Sequence, residues 1–187
     1  TIKQLHPDIP FIVLTPFSRE VSRRLANEDF SGVDYVFSWL GNVDLLLAII
    51  KLMEDKMNSD NDILEVGIQT ILLVEDSIRF YSSVLPHLYK FLLKQSLVFS
   101  TEALNEHEQM LRMRGRPKVI LARTYEEAQE LYDKYKDKIL GVITDVSFNR
   151  QGAKDKLAGI KLAREIKAKD PYVPIIIESS ENENEAY

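Results

Sequence analysis

Thr70-Ile71-Leu72-Leu73-Val74-Glu75-Asp76 and Leu140-Gly141-Val142-Ile143-Thr144-Asp145 are the stretches whose reading decides the fold. Each is a short apolar run without helical period, the pattern of a strand buried on both faces, and each ends in acid. Lys118-Val119-Ile120-Leu121-Ala122 lies between them, and Pro174-Ile175-Ile176-Ile177 follows, ending in Glu178-Ser179-Ser180. Helical patterns separate these runs. Ile78 to Lys94 carries Tyr81, Val84, Leu85, Leu88, Phe91 and Leu92 on one stripe, with Pro86 expected to kink it or move its start. Ala103 to Met113 also reads as helical, ending at Gly115-Arg116-Pro117. Thr124 is placed to cap a helix with Glu126 and Glu127 in its first turn and Ala128, Leu131, Tyr132 and Tyr135 inward. Beyond a charged loop, 149–156, a helix presents Ile160, Ala163 and Ile166 on one face. From residue 68 onward strands and helices alternate, which predicts an α/β fold with a doubly wound parallel sheet. In such sheets binding chemistry sits at the carboxyl ends of the strands, where Glu75, Asp76, Asp145 and Ser179 fall.

Upstream, Asn58-Ser59-Asp60-Asn61-Asp62 is polar and without period, so 58–67 reads as a linker. Residues 1–57 read as strand, helix, strand, helix. Pro10 to Thr15 and Tyr35 to Phe37 are the strands, Ser18 to Leu25 a short polar helix. In 43–57, Val43, Leu46, Leu47, Ile50 and Met53 have helical spacing.

Composition narrows the class. Of 187 residues, 45% are hydrophobic and 28% charged, enough apolar content for a packed core. The net charge of −5 gives no reason to expect direct nucleic-acid binding. No apolar run approaches the roughly 20 residues needed to cross a bilayer, so no membrane association is expected. The N-terminal TIKQLHPDIP lacks the pattern of a signal peptide. The chain has no cysteine, which excludes disulfides, thiol catalysis and cysteine metal sites, and is compatible with a cytoplasmic location.

Carboxylates converging at one sheet edge repel each other, by several kcal/mol in low dielectric. A hard divalent cation relieves this, and Mg²⁺ suits one or two carboxylates with waters and phosphate oxygens. An aspartate there can also attack phosphorus and form an aspartyl phosphate, with the metal neutralising charge on the transferring group.

Leu73-Val74-Glu75-Asp76-Ser77, Ile143-Thr144-Asp145-Val146-Ser147 and Pro174-Ile175-Ile176-Ile177-Glu178-Ser179-Ser180 together resemble the first, third and fourth strands of response-regulator receivers. The resemblance spans 68–187 and implies the flavodoxin-like (CheY-like) receiver fold. It implies that Asp145 is the phosphoacceptor and that Ser179 is the switch hydroxyl. It implies an Mg²⁺ site made by Asp76, Asp145, the backbone carbonyl of Ser147, and Glu75 largely through water. A sensor histidine kinase or histidine phosphotransfer protein is the implied partner and phosphodonor, and pairing into a homodimer stays open. Two departures stand out. Receivers reach their helix-starting glycine about eight residues after the phosphoacceptor, whereas Gly159 comes fourteen after Asp145, so the loop carries an insertion. The family's fifth strand, its lysine and its last helix are expected beyond Tyr187.

Residues 1–57 resemble the back half of a second, degenerate receiver. Thr15 matches the switch position and Tyr35 the switch aromatic, but Ser38 stands where the lysine belongs and Trp39 where proline usually follows. Either this is the end of another receiver, or Tyr35–Phe37 supplies the missing fifth strand of 68–187. Tandem receivers with a long first helix also resemble regulatory segments that precede phosphoenolpyruvate synthase-like domains.

Three function classes follow. The first is phosphorelay signalling through Asp145, with at most self-phosphorylation and autodephosphorylation as activity. The second is a phosphorylation-independent pseudo-receiver that serves as an interaction or dimerisation module. The third, a metal-dependent phosphohydrolase, is disfavoured because its motif needs an aspartate where Ser147 stands. Arg112, Arg114, Arg116 and Lys118 read as a solvated basic face, His6, His87 and His107 as surface or satisfied core histidines, and Trp39 as core filler.

Overall fold

The computed structural model describes residues 5–16, 32–39, 41–101, 105–108 and 115–179. By packing the chain divides into Thr1–Met53 with Ser77–Lys90, and Glu54–Asp76 with Phe91–Tyr187. The division therefore falls outside the segment 58–67 expected as a linker.

In the first unit, β1 (Ile12–Thr15) pairs in parallel with β2 (Tyr35–Ser38), Ile12 opposite Tyr35 and Thr15 opposite Ser38. This is a separate two-stranded sheet, so Tyr35–Phe37 is not a strand of the larger sheet described below. The segment Ser18 to Leu25 lies outside the described residues. Helix α1 (Asp44–Ser59) begins close to the expected position, but its inward face is Leu45, Ala48, Ile49 and Leu52. Among the described residues, Val43, Leu46, Leu47 and Ile50 face outward, and of the expected stripe only Met53 is buried. Both sets obey helical spacing, so periodicity could not choose between them. Helix α2 (Ile78–Thr101) contains Pro86 as an interior residue rather than starting there. The Tyr81 ring meets Phe37 edge-on at 5.3 Å and its hydroxyl donates to the Val36 carbonyl. The Ser82 hydroxyl accepts from the Ser38 amide at 2.9 Å.

The second unit is built on four parallel strands: β3 (Thr70–Val74), β4 (Lys118–Ala122), β5 (Ile139–Asp145) and β8 (Ile175–Glu178). Their spatial order is β4-β3-β5-β8. Counted along the unit, the strands lie second, first, third, fourth, so the order reverses between β3 and β5. Helices α3 (Tyr125–Tyr135) and α4 (Ala158–Lys169) connect them. Thr124 caps α3 as expected, its hydroxyl accepting from the Glu127 amide at 3.2 Å. The core joins Leu72, Val74, Ile120, Val142, Tyr132 and Leu162.

The sequence expectations need three local revisions here. The polar cluster after α1 is helical, a wide turn over Asp60–Glu65 that buries Ile63 in the core. The charged loop after Asp145 is an antiparallel hairpin, β6 (Phe148–Arg150) and β7 (Ala153–Asp155). Its turn, Gln151-Gly152, has φ of 52° and 77°, the left-handed pair that suits a two-residue hairpin. Finally, Arg116 and Lys118 are not a solvated face; Arg112 and Arg114 lie outside the described residues. Arg116 grips the fully buried Asp55 with two hydrogen bonds, 2.7 and 3.0 Å, and Asp55 also accepts from the Val119 amide at 3.0 Å. Lys118 sits 2.6 Å from Asp62.

Candidate functional site

The strand order reverses between β3 and β5, and the carboxyl ends of strands at such a reversal are the general location of ligand sites in open parallel sheets. Glu75 and Asp76 follow β3, and Asp145 closes β5. The register explains the meeting. Val74 pairs with Thr144, so the next residues on the two strands, Glu75 and Asp145, stand at one level. The Glu75 amide is held by the Ala122 carbonyl at 2.9 Å, and the Val146 amide by the Glu178 carbonyl at 2.9 Å. Carboxylate oxygens of Glu75, Asp76 and Asp145 all lie within 4.8 Å of one another. Glu75 and Asp145 are buried.

Such proximity is costly without a cation. At 4.8 Å and an effective dielectric of about 20, each like-charged pair repels by about 3 kcal/mol. Burial pushes the Asp145 carboxyl up from its ordinary range. Amide donation from Val146, at 2.8 Å, and from Ser147 pulls it back in part, as does Lys154, while Asp76 adds to the upward push. The donor set fits a hard divalent ion. Ligands of an octahedral Mg²⁺ with bonds of about 2.1 Å lie about 3 to 4.2 Å apart, within a small side-chain rotation of this spacing.

Two neighbours shape the site. Gly159, in the first turn of α4, donates its amide to the Val146 carbonyl at 3.1 Å. A Cβ at this glycine would stand 2.0 Å from the Asp145 carbonyl oxygen, so only glycine lets α4 start this close to the strand end. The second neighbour is Lys154 on β7, whose ammonium lies 2.9 and 3.0 Å from the two oxygens of Asp76.

No family model, no curated protein and no solved structure matches this chain.

The structure thus gathers Glu75, Asp76 and Asp145 as the strand pattern predicted. Ser147 lies in the bend after β5, and its amide lowers the proton affinity of the Asp145 carboxyl. Ser179 follows Glu178, the register partner of Asp145, and is exposed at the end of β8. Thr15 and Ser38 end the separate sheet of the first unit. Tyr35 there is buried beside Phe37, a core position, and Trp39 is only half-buried. His6, His87 and His107 are exposed. Lys154 was missed. Nothing in its local sequence marks it, because a lysine among Arg150, Lys154, Asp155 and Lys156 looks like ordinary loop charge. Only the hairpin pairing brings it over Asp76.

Proposed function

We propose that residues 68–187 form a receiver-type signalling domain of flavodoxin-like fold, in which Asp145 accepts a phosphoryl group with the help of Mg²⁺. The observation that carries this reading is the convergence of Glu75, Asp76 and Asp145 within 4.8 Å at the switch point of a parallel sheet. An oxygen of Asp145 attacks phosphorus, the phosphorus–nitrogen bond of a phosphohistidine donor breaks, and its electron pair returns to the imidazole. When bound, Mg²⁺ would supply charge neutralisation for the transferring group, held by Asp76, Asp145, the Ser147 carbonyl and, through water, Glu75. The chain's own part is to orient Asp145. The Val146 amide holds its carboxylate, and the close start of α4 at Gly159 fixes the backbone beneath it. Ser179, next to Glu178, offers a hydroxyl to the phosphorylated state and would carry the change to a partner-binding surface. The donor class is a sensor histidine kinase or histidine phosphotransfer protein in the cytoplasm. No helix among the described residues is long and apolar enough to cross a membrane.

A second reading is favoured by one observation. Lys154 rests on Asp76 as an internal counter-ion, which would let the acids coexist without metal in a phosphorylation-independent interaction module. The test exposes the protein to Mg²⁺ with a small acyl phosphate, or with beryllium fluoride, and follows intact mass beside Asp145→Asn. A labile phosphate-sized gain that is lost in Asp145→Asn supports the receiver. No adduct and no Mg²⁺ binding supports the interaction module.

A further inference from the structure

The hairpin of β6 and β7 is firmly seated. Phe148 is fully buried and stacks near Tyr125 at 6.3 Å, and the Arg150 guanidinium covers the same ring at 4.5 Å. The Gln151 amide donates to Glu126 at 2.9 Å, and Asn149 bridges to Thr124. On the other strand, Asp155 is held by Lys161 at 2.6 Å and accepts from the Leu157 amide at 3.0 Å. Lys154 is opposite Asn149 and immediately before Asp155, so its backbone is anchored on both sides. Its side chain is half-exposed and reaches a carboxylate that is only 14% exposed.

We propose that Lys154 is a tethered counter-cation that competes with the divalent ion for Asp76 and so sets the metal affinity of the site. This rests on the metal-site reading of Glu75, Asp76 and Asp145. Both oxygens of Asp76 lie within hydrogen-bond distance of the ammonium. A metal that takes one of them as ligand meets the lysine charge within a few ångströms. At that range two positive charges repel strongly in a partly buried site, so the ammonium must leave. The long, half-exposed stem of Lys154 can carry it back to water without moving the hairpin. The site is therefore neutralised internally at low divalent ion and loaded only when the ion outcompetes a lysine fixed at high local concentration.

The experiment titrates Mn²⁺, followed by the spin-resonance signal of the free ion, into the full chain, Lys154→Met, Lys154→Arg and Asp76→Asn. Circular dichroism checks folding of each. Lys154→Met should bind Mn²⁺ about three- to tenfold more tightly than the parent, the scale expected for removing one partly screened ion pair. Lys154→Arg should stay close to the parent, and the gain of Lys154→Met should shrink at high salt. Saturable binding by the parent, lost in Asp76→Asn but equal or weaker in Lys154→Met, overturns the role of Lys154 and leaves the metal site standing. Absence of Mn²⁺ binding in both the parent and Lys154→Met overturns both.

Discussion

Gly159→Ala tests the construction of the site most directly. The added methyl would lie 2.0 Å from the Asp145 carbonyl oxygen, 3.0 Å from its carbon and 3.1 Å from the Val146 Cα. All three are backbone atoms, so no flexible side chain can give way. Real Cβ contacts essentially never fall under 3.0 Å, so the start of α4 must retreat by about 1 Å or more. That retreat breaks the bond from the Gly159 amide to the Val146 carbonyl, at a cost of about 1 kcal/mol. Overpacking of a closed contact adds about 1–3 kcal/mol. The helix preference of alanine over glycine returns at most about 1 kcal/mol. The net expectation is a loss of about 2 kcal/mol in the unit that holds the sheet, or about 1 M in the urea midpoint at an ordinary slope. Trp39, the single tryptophan, belongs to the other unit. Far-ultraviolet ellipticity and deuterium uptake in 139–146 are therefore the readouts. In the folded variant Mn²⁺ affinity should also fall, because the Val146 amide that orients Asp145 is displaced. A variant as stable as the parent, or more stable, would refute the close-approach reasoning.

Three further outcomes follow from the same contacts. Asp145 holds its proton to higher pH folded than unfolded, so the native state binds more protons between the unfolded value, about 3.9, and the raised one. Stability then falls as pH rises through that window and the penalty stands in full above it; Asp145→Asn in chelator should raise the urea midpoint at pH 7, with the advantage vanishing toward pH 3, and Mg²⁺ should narrow or reverse it by stabilising the parent alone. Arg116→Met leaves the fully buried Asp55 without its bidentate partner and should cost roughly 3–5 kcal/mol by urea unfolding, with Asp55→Leu added to it recovering much of the loss. Thr124→Ala removes the cap on the Glu127 amide and should cost about 1 kcal/mol, seen as faster deuterium uptake in the first turn of α3.

Much of the second unit was legible because its signals are short-range. Apolar runs ending in Asp76, Asp145 and Glu178, with a helical pattern after each of the first two, specify parallel strands whose ends share one side of a sheet. The cap at Thr124 and the glycine opening the helix after Asp145 are likewise local requirements. The first unit was less legible. On α1 two apolar stripes compete, and the buried one is chosen by what the helix packs against, which periodicity does not encode.

By itself the sequence determined the alternation of strands and helices from residue 68, and the placing of Glu75, Asp76 and Asp145 at carboxyl strand ends, because side-chain period and strand termini are written in consecutive residues. Only the tertiary structure decided the rest. It set the order β4-β3-β5-β8 among the strands and kept Tyr35–Ser38 in a sheet of its own. It buried Arg116 against Asp55 and Lys118 against Asp62, 61 and 56 positions earlier in the chain. It laid Lys154 over Asp76, 78 positions away. These are pairings between distant residues, fixed by which surfaces exclude water together and which charges then need a partner, and no window of neighbouring residues contains them.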